Sequence, residues 1–134
     1  MENNLQERNK AIVKEAFDAV FNKRDESAFE RFWSSDYLQH SAHIPPGRDG
    51  LKRLVAQLPK SLKYEMGQIV AEGDIVMVHG RFSGIGQPKA WIAADIIRMS
   101  EGKLVEHWDV IENEVRKDES PSGNPMFGTA FSEV

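Results

Sequence analysis

The sequence contains no cysteine. Disulfides, thiolate catalysis and cysteine-ligated zinc or iron–sulfur sites are therefore excluded, and the redox compartment stays open. No apolar run approaches the roughly 18 residues of a membrane span. The first residues, MENNLQERNK, are polar and charged, with no apolar segment of the kind a secretory signal needs. An excess of positive charge is missing too: 17 Lys and Arg stand against 21 Asp and Glu, for a net charge of -4. Neither nucleic acid nor an anionic membrane is expected as a partner, and a soluble cytoplasmic protein is the expectation. Several catalytic signatures are absent as well. There is no GxSxG and no serine in a strand-to-helix elbow, which argues against a serine hydrolase. There is no HExxH, and His40 and His43 sit in a proline-containing loop and not on one helix face, so no metal site is expected. Gly84-Ile85-Gly86 lacks the strand-to-helix setting of a phosphate-binding loop.

What is present suits one globular domain over residues 1–134: 40% of residues are hydrophobic and 28% charged, enough to bury a core. Ile12, Ala16, Ala19 and Val20 recur at helical spacing and predict an amphipathic helix from Leu5 to about Asn22. A short second helix is expected over Glu26 to Trp33, with Phe29, Phe32 and Trp33 inward. Tyr37 to His40 reads as a short extended piece. Leu51, Leu54, Val55 and Leu58 predict a third helix from Arg48, ended by Pro59. The periodicity then turns extended, with strands expected at Lys63–Glu72, Ile75–Phe82, Trp91–Met99 and Leu104–Ile111. Residues after Glu114 form an irregular tail that Met126, Phe127 and Phe131 could anchor. Helices first and strands afterwards indicate an α+β fold. Three N-terminal helices packed on a strongly bent antiparallel or mixed sheet would make a cone whose interior is a pocket.

The last two strands are joined at Ser100-Glu101-Gly102-Lys103, and the register decides which side chains share the interior. A three-residue Ser100–Gly102 turn sets Met99 against Lys103 and Asp95 against His107. Trp91, Ala93, Asp95, Ile97, Val105, His107, Asp109 and Ile111 then share one face, and Arg98 and Glu106 form an ion pair on the other. A two-residue Glu101-Gly102 turn would place Asp95 beside Trp108 and send Asp109 to the opposite side. The first arrangement is preferred because it pairs the charges and gathers Ile97, Val105 and Ile111 into one apolar wall.

Two carboxylates and an imidazole in an apolar cavity form a general acid–base set, since burial and like charge push their pKa values apart. Asp95, His107 and Asp109 are the candidates. His79 is a further one from the neighbouring strand, and His40 could reach in from its loop. Against this stands a bland alternative in which the carboxylates are tied to backbone donors or to Arg81. Trp91 and Trp108 suit either core packing or stacking on a ligand, and His43 reads as a loop residue.

Tyr37-Leu38-Gln39-His40 followed by Pro46-Gly47-Arg48-Asp49-Gly50-Leu51, then Asp95-Ile96-Ile97-Arg98 and Glu101-Gly102-Lys103-Leu104-Val105-Glu106-His107-Trp108-Asp109, resemble the SnoaL-like polyketide cyclases of the nuclear-transport-factor-2-like superfamily. The resemblance runs from the first helix to the Asn124–Phe127 tail. It implies a cofactor-independent aldol condensation on an apolar, carbonyl-bearing small molecule, with Asp109 as the acid–base residue. Asp95, His79, His107 and His40 would be supporting polar groups of the cone. It also implies a homodimer formed through the open sheet face. The Arg-x-Asp pair of epoxide-hydrolase relatives has no match here, and His79 stands near its place. Because one fold serves many activities, a non-catalytic binding or association module and a hydrolase, isomerase or dehydratase on the same cone remain competing expectations.

Overall fold

The fold was analysed in a computed structural model that describes residues 2–132. Helix α1 (Glu2–Phe17) continues directly into a π-helical turn, Asp18–Asn22. Helix α2 (Ser27–Phe32), strand β1 (Trp33–Gln39) and helix α3 (Gly47–Gln57) follow. Four strands complete the order: β2 (Lys63–Glu72), β3 (Ile75–Ser83), β4 (Trp91–Ser100) and β5 (Lys103–Asn113). Sequence spacing placed Trp33 at the end of the second helix, whereas it opens β1, where it pairs with Leu104. The expected extended piece at Tyr37 is thus the end of a longer strand.

The sheet runs β1-β5-β4-β3-β2, with β1 parallel to β5 and every other neighbour antiparallel. Irregular register in the β1–β5, β2–β3 and β4–β5 pairs gives the sheet three places to bend. The helices cover its concave face. Val13, Ala16, Phe17 and Val20 of the first helix are buried against Val76, Ile97 and Leu104 of the sheet. An aromatic layer joins the two sides: the Phe17 ring lies parallel to Trp33 at 6.4 Å, and Phe21 meets Phe82 edge-on at 5.0 Å.

Two polar contacts fix the segment after the first helix, one to the sheet's far edge and one to the chain past α3. The Asn22 side chain accepts from Tyr64 N–H at 2.7 Å and donates to Tyr64 C=O at 3.0 Å, pairing with the strand as another strand would. The Arg24 guanidinium donates to the carbonyls of Leu58 and Pro59, at 2.9 and 3.3 Å, and so satisfies the chain just past α3.

The β4–β5 hairpin departs from both registers considered above. Its turn is the two-residue one: Ser100 pairs with Lys103, and Glu101 and Gly102 have φ of 50° and 78°. Two consecutive positive φ values make the connection whose twist matches the strands. Met99 then faces Leu104, but the next pair is Arg98 with Glu106, so Val105 is left over as a bulge. That extra residue restores the original parity and shifts partners by two. Asp95 consequently faces Asp109, Ile97 faces His107, and Ala93 faces Ile111.

Candidate active site

Inside the cone lies a narrow cavity of about 50 Å³ that opens to solvent. Its walls are aromatic and aliphatic: Phe17 and Phe21 from the first helix, Trp33 and Tyr37 from β1, Leu51 and Leu54 from α3, and Trp91 and Ile111 from the hairpin. Ile85, from the Gly84–Gly86 segment, is buried and also faces it. Asp95, His107, Asp109 and the loop residue His43 bring carboxylates and imidazoles to this space, and among the described residues no Lys or Arg lines it.

The first three sit together for a simple reason. Asp95 and Asp109 are cross-strand partners, and His107 stands two residues before Asp109 and therefore on the same face. His107 Nε2 and Asp95 Oδ1 share a hydrogen bond of 2.7 Å, with the two residues only 5% and 4% exposed. The other ring nitrogen, Nδ1, lies 2.6 Å from Gln39 Oε1. Tyr37 Oη accepts from the Gln39 amide at 3.0 Å, and its ring lies roughly parallel to the imidazole at 6.5 Å. Burial pushes the Asp95 carboxyl above its ordinary value; the His107 bond and charge oppose this, and the Asp109 charge adds to it. Burial also drives the Tyr37 and Tyr64 hydroxyls well above theirs. Asp95 Oδ2 is buried without a protein partner, as is Tyr64 Oη.

Asp95, His107 and Asp109 are also a group that could hold a cation, with donor atoms within 4.8 Å of one another. Both ring nitrogens of His107 are already engaged, so a cation would have to take the place of the proton shared with Asp95.

The remaining sequence candidates divide. Trp91 and Ile111 line the cavity, whereas Ile97 is fully buried in the core beneath it. Val105 is the bulge residue, and Leu104 takes the inward position assigned to it. His79 projects from the opposite face of β3, where it packs 5.4 Å from Phe127 of the tail, because Val78 and Gly80 hold the inward positions. His40 and Trp108 also lie away from the cavity. Their rings stack at 4.8 Å with planes 2° apart, and His40 Nε2 is 2.7 Å from Glu106 Oε2. Arg98 does meet Glu106, donating to Oε1 at 2.8 Å. Arg81 is bidentate to Glu114 and not to either candidate carboxylate. Reasoning from the sequence missed Gln39 and Tyr37. Their signal was alternation along β1, invisible until β1 is placed beside β5. His43 was read only as a loop residue, but it lines the mouth, 6.0 Å from Trp91.

The family model for SnoaL-like polyketide cyclases matches residues 11–114. The chain belongs to the SnoaL-like polyketide cyclase family. It therefore stands, at the level of the family, among cyclase-type enzymes. Solved structures agree with the cone. AclR from Streptomyces galilaeus, described as a candidate hydroxylase, is 28% identical with a TM-score of 0.65, and 80% of each chain is covered. A candidate polyketide cyclase from Bacillus cereus ATCC 10987 is 23% identical with a TM-score of 0.63, over 72% of this chain and 70% of that one. An NTF-2 like protein of unknown function from Burkholderia xenovorans LB400 reaches a TM-score of 0.69 at 18% identity, over 86% and 88%. No curated protein matches the chain. Among the described residues, no helix is long and apolar enough to cross a membrane.

Proposed function

We propose that this family member catalyses a cofactor-independent aldol-condensation or cyclase-type reaction on an apolar, carbonyl-bearing small molecule. The observation that carries the reading is Asp109 facing an apolar cavity beside the hydrogen-bonded Asp95–His107 pair. Asp109 acts as the base that removes a proton next to a carbonyl. The Asp95–His107 pair supplies a proton to the enolate oxygen as charge develops there, in a site from which apolar walls exclude most water. The carbon so activated attacks a second carbonyl of the same molecule while the enol oxygen returns its proton to the Asp95–His107 pair, and the resulting alkoxide takes the proton held by Asp109, which restores both groups. That no Lys or Arg is found among the described wall residues suits an uncharged ligand better than a carboxylate or phosphate.

A non-catalytic binding module would be favoured by carboxylates tied to arginine or backbone with no space between them. Asp95 instead bonds His107, and Asp109 faces open space. The solved structures named above include one described as a candidate cyclase and one described as a candidate hydroxylase, so the chemistry has to come from the site and not from the fold. Deuterium washout from the α-position of apolar aryl ketones tests the reading. The wild type should exchange the α-deuteron and Asp109→Asn should not; equal rates in the two would overturn the assignment of Asp109.

The same reading includes a homodimer formed through the outer sheet face, on a sheet that shows Val110 at 70% and Leu38 at 52% exposure and also exposes Met77 and Val70. Light scattering at micromolar concentration should give twice the chain mass, and a monomer would refute this arrangement.

A further inference from the structure

Gln39 does not line the cavity, yet two donors converge on its amide oxygen. One is Ser41 N–H, 2.9 Å away. A peptide nitrogen can only donate, so the amide atom facing it is the oxygen. The other is His107 Nδ1 at 2.6 Å. An amide oxygen can only accept, so the proton between Gln39 and His107 belongs to Nδ1. The amide nitrogen meanwhile donates to Tyr37 Oη, which holds the group in that orientation.

The consequence appears on the other side of the ring. With Nδ1 protonated, Nε2 of a neutral imidazole is bare, and it faces Asp95 Oδ1 at 2.7 Å. A bare nitrogen and a carboxylate oxygen are both acceptors, and that separation requires a proton between them. The pair therefore holds one more proton, on the carboxyl or on the ring, and is neutral overall in either case.

We propose that Gln39 is a positioning residue: held by Ser41 N–H, its oxygen fixes the His107 proton on Nδ1 and so keeps the Asp95–His107 pair loaded with a transferable proton. The opposite tautomer would donate Nε2–H to an ionised Asp95. The site would then contain two facing carboxylate charges and no acid. The polar groups around the ring are Tyr37 and Gln39 from β1, Asp95 from β4 and Asp109 on its own strand, and none of them is a cation. The consequence for turnover rests on the acid–base reading given above; the position of the proton does not.

The test needs no substrate. Long-range 15N–1H spectra separate a protonated from a bare ring nitrogen, and His107→Asn identifies the His107 signals among those of the four histidines. In the wild-type protein Nδ1 of His107 should be protonated at neutral pH. Gln39→Met, which removes the acceptor, should move the proton to Nε2, and Gln39→Glu, which keeps an acceptor there, should leave it on Nδ1. A bare Nδ1 in the wild type, or a Gln39→Met protein that keeps Nδ1 protonated, would overturn the proposal. If Gln39→Met fails to fold, Gln39→Leu, which also removes the acceptor, takes its place with the same predicted and contradicting results. For ketone exchange, Gln39→Met should lower kcat on the order of 10-fold with KM little changed. A protonated Nδ1 with no exchange of any ketone would count against the catalytic reading alone and leave the role of Gln39 standing.

Discussion

The two faces of the β4–β5 hairpin each carry a histidine–carboxylate contact of the same length, 2.7 Å, and give it opposite surroundings. On the inner face Asp95 and His107 are buried under aromatic side chains, and desolvation raises the carboxyl. On the outer face His40, followed by Arg98, holds the Glu106 carboxyl below its usual value. A histidine contact lowers the carboxyl on both sides. On the inner side burial outweighs it, whereas on the outer side the His40 bond is joined by the Arg98 bond and little burial opposes them. A proton donor for chemistry on a carbonyl belongs to the first kind, and a surface ion pair to the second.

The largest expected effect is on turnover. Asp109→Asn should reduce exchange from an apolar ketone by about 100-fold or more, with little change in melting temperature, as expected for loss of a general base. A variant with near wild-type exchange would remove the inner face's distinction. Next comes packing at the bulge. Leu104→Ala should destabilise by about 3 kcal/mol because Leu104 is fully buried, whereas Val105→Ala should cost less than about 1 kcal/mol in urea unfolding. Equal losses would mean that the bulge is misplaced. The smallest effects belong to the outer face. His40→Gln, Glu106→Gln and His79→Ala should each leave ketone exchange within about 2-fold, consistent with surface substitutions away from the chemistry. A large fall for any of them would show that the faces are not separate in function.

Much of this molecule is legible in the chain. Helical spacing at Ile12, Ala16 and Val20, and again at Leu51 and Leu54, marks helices that pack as expected, and period-two alternation marks the last four strands. That His107 and Asp109 share one face also follows from alternation, but that Asp95 joins them does not. Nor do their partners follow from it. A two-residue turn alone would have sent Asp109 outward, and only the bulge at Val105 brings it back, because one extra residue flips every later side chain. Nothing in Lys103-Leu104-Val105-Glu106 announces such a bulge. The position of His79 off the cavity was hidden for a related reason: without the β2–β3 register, its strand has no marked inner side. Gln39 and Tyr37 were missed because their value comes from a parallel pairing with β5, some 68 residues away along the chain in the Gln39–His107 bond.

The contrast between the faces is tested most directly by chemical unfolding of Asp95→Asn and Glu106→Gln between pH 3 and pH 8, each against wild type. A carboxyl raised in the folded state contributes stability that is complete below its ordinary value, 3.8 for Asp95, and is lost as pH rises through the raised one. Removing it should therefore make Asp95→Asn progressively more stable relative to wild type as pH rises toward pH 8. A carboxyl lowered in the folded state, as at Glu106, contributes stability above its ordinary 4.5 that disappears as pH falls through the lowered value. Glu106→Gln should be less stable than wild type at pH 8 and converge with it toward pH 3. Opposite signs at pH 8 are the predicted result; the same sign for both variants would contradict the account.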